Sequence, residues 1–135
     1  MKFHQLAESF YTWGWKIKHE HYVAFSDYLK EMLKRNRVMV IMDGAVVTAI
    51  ILYFLTDDYT RVYKKGTWDL PKSDDPAGNQ IYVDKLLCKK WTPEIRRLVQ
   101  NAIQEKYPHV TEGFYHRSPN DRCVRITKRE ILCTR

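Results

Sequence analysis

The chain has 135 residues, of which 44% are hydrophobic and 13% aromatic, and this size and composition predict one globular domain that needs neither disulfide nor metal support. The hydrophobic content excludes a disordered chain. No apolar run approaches the ~20 residues that a membrane-spanning helix requires, so we expect no membrane partner.

The net charge of +7 is distributed unevenly along the chain. Residues 61–135 hold sixteen Lys and Arg against nine Asp and Glu, whereas residues 1–60 hold seven of each kind. This asymmetry indicates an anionic partner, such as nucleic acid, an acidic protein surface or a phosphorylated cofactor. The alternative is a solvated basic face that only keeps the protein in solution.

The cysteines and histidines argue against a metal site. The chain contains three cysteines, Cys88, Cys123 and Cys133. An odd number of widely separated cysteines indicates reduced thiols and excludes a zinc ribbon. His19 and His21 flank Glu20 with a spacing that fits neither a zinc-protease helix nor a zinc finger. No secretory signal pattern is present at the N-terminus, so we expect a cytoplasmic location.

Two helices are predicted in residues 1–36. Apolar side chains at spacings of three and four indicate a short helix in residues 1–18, weakened at its end by Gly14, and a second helix in residues 19–36. Four aromatic side chains of the first segment either fill the core or form a base-stacking or protein-binding patch; they are Phe10, Tyr11, Trp13 and Trp15.

A β-hairpin and a long loop follow. Residues 37–42 and 45–55 are predicted to be strands. The dipeptide Asp43-Gly44 predicts a type I′ turn between them. Both strands are apolar at successive positions, so helices must cover both faces of the sheet. The Gly-, Pro- and Asp-rich segment 56–80 is predicted to be a loop, in which Trp68 either contacts a partner or anchors the loop on the core.

Residues 79–117 carry the pattern of a strand, a helix and a second strand. Residues 81–88 are mostly apolar, with a break at Asp84-Lys85, and Thr92 and Pro93 supply a capping side chain and a first helical residue. The dipeptide Tyr107-Pro108 ends the helix before a strand at 109–117. Apolar residues of the helix fall on one stripe: Ile95, Leu98, Val99, Ala102 and Ile103. Two strands joined in this way form a parallel, right-handed pair. A turn at 118–121 and an edge strand at 122–130 complete the chain.

This order of elements resembles the GNAT acyltransferase superfamily over about residues 19–129. The resemblance implies an α/β class: a single GNAT-like domain, 1–135, whose mixed sheet combines an antiparallel hairpin with a parallel βαβ unit and is flanked by helices. In that family the central strand splays from its parallel neighbour, and acyl-coenzyme A sits in the gap with its pyrophosphate on the amides at the start of the helix.

The resemblance also assigns residues to the cofactor. Leu86, Leu87 and Cys88 would lie beside the acyl arm, and the pyrophosphate turn would be formed by Lys89, Lys90, Trp91, Thr92, Pro93 and Glu94. That turn has no glycine, one bulky indole and a proline that removes a donor, so the phosphate cradle of the family is lost. The late helix of the family is also missing.

Because it lacks both the phosphate cradle and the late helix, the chain resembles the degenerate acyltransferase-like domains of tailed-phage virions. It is also similar to the divergent acyltransferases that activate bacterial toxins, which lack the late helix yet remain enzymes.

The enzyme interpretation needs a base and an acid near the acyl group. The candidates are Asp84, Glu112, Tyr115 and His116, and His116 is preferred because its ordinary pKa lies near neutrality. Alternation predicts that Phe114 and His116 share one face and Tyr115 and Arg117 the other, so that only one pair faces the cleft. Cys88 and Cys123 are either nucleophiles or, more commonly for such thiols, buried structural residues.

The binding interpretation uses the basic residues of the second half. They can form one anion- or nucleic-acid-binding surface: Lys89, Lys90, Arg96, Arg97, Arg117, Arg122, Arg125, Lys128 and Arg129. Arg96 and Arg97 lie opposite the apolar stripe of the helix and are predicted to be exposed. No motif for reading bases is present.

We therefore expect a non-catalytic structural or interaction module without a cofactor, with a protein partner or assembly, located in a host cytoplasm or a phage virion. The alternatives are an acyl-coenzyme A-dependent N-acyltransferase and a non-specific nucleic-acid-binding protein.

Overall fold

The computed structural model describes residues 1–117 and 122–127; the predicted turn at 118–121, the last residues of the final strand, Lys128, Arg129 and Cys133 lie outside this part of the chain. The helices are α1 (Phe3–Thr12), α2 (Tyr22–Lys34) and α3 (Pro93–Lys106). The strands are β1 (Val38–Asp43), β2 (Val46–Thr56), β3 (Gln80–Cys88), β4 (Glu112–Arg117) and β5 (Arg122–Thr127). Two 3₁₀ turns lie at His19–His21 and Tyr59–Arg61.

The five strands form one mixed sheet in the order β1-β2-β3-β4-β5. The pairs β1–β2, β2–β3 and β4–β5 are antiparallel, and β3–β4 is parallel with α3 as its crossover. The predicted α/β class, with an antiparallel hairpin beside a parallel βαβ unit, is therefore confirmed. α1 and α2 cover one face of the sheet and α3 the other, as the unbroken apolar runs of the hairpin predicted.

The hairpin turn differs from the prediction by one position. Asp43 pairs with Val46, so the two central residues are Gly44 and Ala45 rather than Asp43 and Gly44. Gly44 has φ of 62°, and Ala45 is not among the residues with positive φ. A type I′ turn needs positive φ at both central positions, whereas a type II′ turn needs it only at the first. The predicted turn type was therefore wrong, although Gly44 does have a positive φ.

The α1/α2 layer is packed with aromatic side chains. Phe10 is fully buried and meets Trp15 and Phe25 edge to face, with ring centroids 5.2 Å apart in each case. Trp13 is also partly buried against this core, whereas Tyr11 is 49% exposed. Of the two interpretations of the N-terminal aromatics, core filling is confirmed for Phe10, Trp13 and Trp15 but not for Tyr11.

Several contacts hold the residues between β2 and β3 on the protein, and two of them involve buried or nearly buried side chains. Trp68 packs against Phe25 and Tyr28 at centroid distances of 5.0 and 5.5 Å, so it anchors the loop. The second anchor is an ion pair in which Arg37 Nε donates to Asp74 Oδ2 at 2.5 Å, with side chains only 10% and 8% exposed. The same carboxylate oxygen accepts from the backbone N–H of Leu55 at 2.9 Å, which ties the loop to β2.

Helix α3 begins as predicted, and its predicted apolar stripe packs on the sheet, but the buried face also includes a neighbouring polar row. Thr92 Oγ1 accepts a hydrogen bond from the backbone N–H of Ile95 at 3.3 Å, and Pro93 is the first helical residue. The buried residues of α3 are Val99, Gln100, Ile103 and Gln104, and Ile95, Leu98 and Ala102 are partly buried beside them. Arg96 lies one turn before Gln100 and is therefore partly buried, so its predicted exposure was wrong; Arg97 is exposed as predicted.

Candidate functional site

The two parallel strands of the sheet pair only at their first residues. The paired positions are Gln80 with Glu112, Ile81 with Gly113 and Tyr82 with Phe114. Both strands continue beyond these pairs, and we call the space between their unpaired portions the strand gap. It contains a cavity of about 530 Å³, within the range of small-molecule sites.

A β-bulge in β3 lies beside the strand gap. Leu52 of β2 pairs with Lys85 and its neighbour Tyr53 pairs with Val83, so Asp84 is the extra residue. A bulge breaks the alternation of side chains. Asp84 and Lys85 consequently both face the α1/α2 layer, and this explains the polar break in the otherwise apolar run of β3.

We distinguish two ends of the cavity, a closed end where β3 and β4 are paired and a mouth where the two strands are unpaired. The lining of the closed end is apolar, because the paired residues Ile81 and Gly113 belong to it together with Ile103 and Val110. The mouth lies at the other end of α3, since that helix returns the chain from the end of β3 to the start of β4. Trp91 and Arg96 line the cavity at this end, together with Asp84, Tyr115 and His116.

Arg96 brings a buried polar atom to the cavity. Its Nε is inaccessible to solvent, and within residues 1–117 and 122–127 no group accepts a hydrogen bond from it. Buried donors are nearly always paired in folded proteins, so an orphaned guanidinium nitrogen calls for an explanation. Gln100, one turn further along α3 and 4% exposed, lines the same cavity with a side-chain amide.

Asp84 is held by two donors from the α1/α2 side. Tyr28 donates its hydroxyl to Asp84 Oδ2 at 2.5 Å, and Lys85 Nζ donates to the same oxygen at 2.9 Å. Burial, and then the charge of Asp84 and the hydrogen bond to it, raise the pKa of Tyr28 well above its ordinary value. Tyr28 is therefore a neutral, permanent donor, and the carboxylate is held in a fixed position.

His116 is held by aromatic residues. Its Nδ1 lies 2.8 Å from the hydroxyl of Tyr82, and its ring stacks on Tyr63 with centroids 3.9 Å apart. Tyr115 faces the α3 side of the sheet, yet both it and His116 line the cavity. The prediction that only one of the two faces would reach the cleft was wrong, because the gap opens between the strands and exposes side chains of both faces.

The predicted cofactor residues separate into four environments. Leu86 lines the cavity, whereas Leu87 is fully buried in the α1/α2 layer, on the opposite side of the sheet. Cys88 packs against the α3 layer, and burial raises the pKa of its thiol. Lys89 and Lys90 are exposed.

The segment 89–94, which the resemblance assigns to a pyrophosphate, is crowded as well as devoid of glycine. The indole of Trp91 is 42% exposed and also lines the cavity. At the start of α3, the backbone N–H of Ile95 already donates to the side chain of Thr92, and Pro93 has no backbone N–H to offer a phosphate.

The basic residues do not lie on one side of the sheet. Arg97 is exposed on α3. Arg125 is the β5 partner of Phe114 and lies with it on the α1/α2 side, where its guanidinium donates to Glu112 at 2.7 Å. The side chains of Arg117 and Arg122 lie outside the described part of the chain. Cys123 lies on the α1/α2 side, where it interacts with Tyr59 and raises the pKa of that phenol through their hydrogen bond.

Sequence reasoning missed the inward direction of Arg96. A signal for it was present, because Arg96, Gln100 and Gln104 form a polar row at i, i+4 and i+8 beside the apolar stripe, and a row so close to the stripe shares its burial.

Among residues 1–117 and 122–127, no three His, Cys, Asp or Glu side chains are grouped so that they could hold a metal ion. In the same residues no helix is long and apolar enough to cross a membrane. Comparisons with protein-family models, with curated proteins and with solved structures found no match to this chain. The function is therefore inferred from the geometry of the strand gap.

Proposed function

We propose that this chain is a binding module of acyltransferase-like architecture, which uses the strand gap as its ligand site and performs no acyl transfer. The observation that carries this proposal is the three-residue pairing of β3 and β4, beyond which a cavity of about 530 Å³ opens. Parallel strands joined by a helix pair along their length unless something separates them, so a gap of this size in a small domain favours a binding role.

The resemblance to the GNAT superfamily supports the same conclusion. The element order, the parallel pair and the position of the gap beside the start of α3 agree with what that resemblance implies. The site differs at the pyrophosphate turn, where Trp91, Thr92 and Pro93 leave few amides for a diphosphate. A ligand of this site therefore binds by its apolar body rather than by a nucleotide.

Two experiments test the proposal. Calorimetric titration with acetyl-coenzyme A should show no binding at micromolar concentration, and micromolar binding would instead support a cofactor site. In NMR titration of the labelled protein, 1-octanol, a neutral aliphatic probe, should shift the amide signals of Val83, Gly113 and Tyr115 while those of α1 stay in place. Uniform or absent shifts would contradict a ligand site in the gap.

A second function is favoured by one observation. Asp84, Tyr115 and His116 all line the same cavity, so a base and an acid are available beside any acyl group placed there. If the protein is an acyl-coenzyme A-dependent N-acyltransferase, release of free coenzyme A from acetyl-coenzyme A should depend on an added amine and should fall about 100-fold in His116→Ala. Amine-independent release, equal in both proteins, would contradict it.

Two further proposals do not involve the strand gap. One is a structural role in an assembly such as a phage virion, and the other is the binding of nucleic acid on a basic face. The assembly role rests on the resemblance, and the nucleic-acid role on the exposure of Lys89, Lys90 and Arg97. A mobility-shift series over salt concentration tests the latter, because phosphate contacts weaken steeply as salt rises. A shift that is insensitive to salt, or none at low salt, would contradict it.

A further inference from the structure

We propose that the strand gap selects an aliphatic monocarboxylate of medium chain length, with the carboxylate on the guanidinium of Arg96 and the chain directed to the closed end of the cavity. This inference rests on the proposed function, since it names the ligand class of the same site.

The first argument concerns the head group. Arg96 lines the cavity, and its Nε, which is inaccessible to solvent, has no acceptor in the described part of the chain. A carboxylate offers two oxygens in one plane, to which two nitrogens of a guanidinium can donate side by side. A planar monoanion therefore neutralises the charge of Arg96 at the cavity, whereas a neutral ligand leaves that charge without a counter-ion.

The second argument concerns the other charge at the site. Asp84 also lines the cavity and would repel an anion if it were free. Its carboxylate, however, accepts from both Tyr28 and Lys85, and the Lys85 ammonium offsets its charge. The positive charge of Arg96 is therefore not cancelled from across the gap.

The third argument concerns the tail. Ile81, Ile103 and Val110 are at most 6% exposed and line the cavity away from its mouth. Arg96 and Ile103 are seven residues apart on α3, which corresponds to about 10 Å along the helix. An extended chain of about eight carbons has a similar length at ordinary carbon–carbon dimensions. Octanoate therefore matches both the charge and the depth of the site.

The experiment compares two probes that differ only in the head group. Octanoate and 1-octanol are titrated by NMR into the full chain, into Arg96→Gln and into Arg97→Gln, whose substitution lies one residue away on the exposed side of α3. Octanoate should bind the wild type and Arg97→Gln about tenfold more tightly than octanol does, and Arg96→Gln should remove this advantage. Gly113→Val, which fills the closed end, should weaken both probes.

The outcomes separate the two proposals. If both probes bind in the gap with equal affinity, and Arg96→Gln behaves as the wild type does, the carboxylate selectivity is overturned while the gap remains a binding site. If neither probe shifts residues around the gap, the proposed function itself fails. If octanoate binds Gly113→Val and Arg96→Gln as tightly as it binds the wild type, it binds elsewhere and the inference is overturned.

Discussion

The two faces of the sheet are built in opposite ways. On the α1/α2 side, large aromatic side chains such as Phe10 and Phe25 are fully buried. On the α3 side, aliphatic side chains line a cavity of about 530 Å³ beneath a single helix. One side has been packed for stability, and the other leaves a volume that dense packing would have removed.

This difference teaches where to look for stability and where to look for function. Substitutions on the α1/α2 side should act mainly on the free energy of unfolding. Substitutions around the cavity should cost less stability and act mainly on ligand binding, because cavity-lining atoms have fewer neighbours to lose.

The largest effect is expected from Arg37→Ala. This substitution leaves Asp74 nearly buried without its partner, and it should lower the free energy of unfolding by about 3–5 kcal/mol. The measurement is urea denaturation followed by circular dichroism. Arg61→Ala is the matched control, because Arg61 pairs with Asp57 in solvent, where the side chains are 70% and 59% exposed. That control should cost less than about 1 kcal/mol, and equal losses in the two variants would contradict the anchoring role of Arg37.

The comparison between the two faces is tested most directly by adjacent residues of β2. Leu52 and Ile51 are both fully buried, but Leu52 faces the α1/α2 layer and Ile51 lines the cavity. Leu52→Ala should cost about 4 kcal/mol and Ile51→Ala about 2 kcal/mol, both within the range for large-to-small core substitutions. Chemical denaturation measures both, and a reversed order would show that the α3 side is packed as tightly as the other.

A smaller effect is expected from Tyr28→Phe. It removes one donor to Asp84 and should cost about 1–3 kcal/mol at pH 7. Burial and Asp84 raise the pKa of Tyr28, so its contribution is complete below the unfolded-state pKa of about 10 and is lost as pH rises towards the folded value. The free energy of unfolding, measured between pH 8 and pH 11, should therefore fall less steeply above about pH 10 in Tyr28→Phe than in the wild type. Identical slopes would exclude Tyr28 as a source of the alkaline loss.

The smallest effect is expected from Gly113→Val, and it should be a gain. A Cβ at position 113 would meet only Ile81 Cγ2, at 3.6 Å, so a larger side chain fits into the cavity. Replacing glycine in a strand should raise the free energy of unfolding by about 0.5–1 kcal/mol. Gly78→Val is the opposing control, because its Cβ would lie 2.3 Å from the backbone carbon of Thr56. A loss of stability in Gly113→Val would show that the space beside Ile81 is not accessible.

Much of the fold could be predicted from the sequence because its signals are local. The cap at Thr92 and Pro93 and the stop at Tyr107-Pro108 determine α3, and Gly44 marks the hairpin. The position of the turn could not be predicted to one residue, since the register also depends on a bulge within the hairpin, between Ile41 and Met42. The parallel pair followed from the element order alone.

The candidate site was predictable only in part. Asp84, Tyr115 and His116 were chosen for their chemistry, and they do line one cavity. The inward position of Arg96 and the hydrogen bond from Tyr28 to Asp84 depend on how α3 and α2 sit on the sheet, which no local pattern encodes. Residues that contact each other across 56 positions, as Tyr28 and Asp84 do, can be found only from a structure.

The extra residue in β3 has a consequence for the walls of the gap. Downstream of Asp84 the order of inward and outward side chains is inverted, so that Leu86 and Cys88 face α3 while Leu87 faces the opposite layer. If the same residues paired with β2 without the bulge, regular alternation would turn Leu87 towards the ligand and withdraw both of its neighbours. The bulge, and not only the composition of the strand, therefore decides which surface a bound molecule would touch.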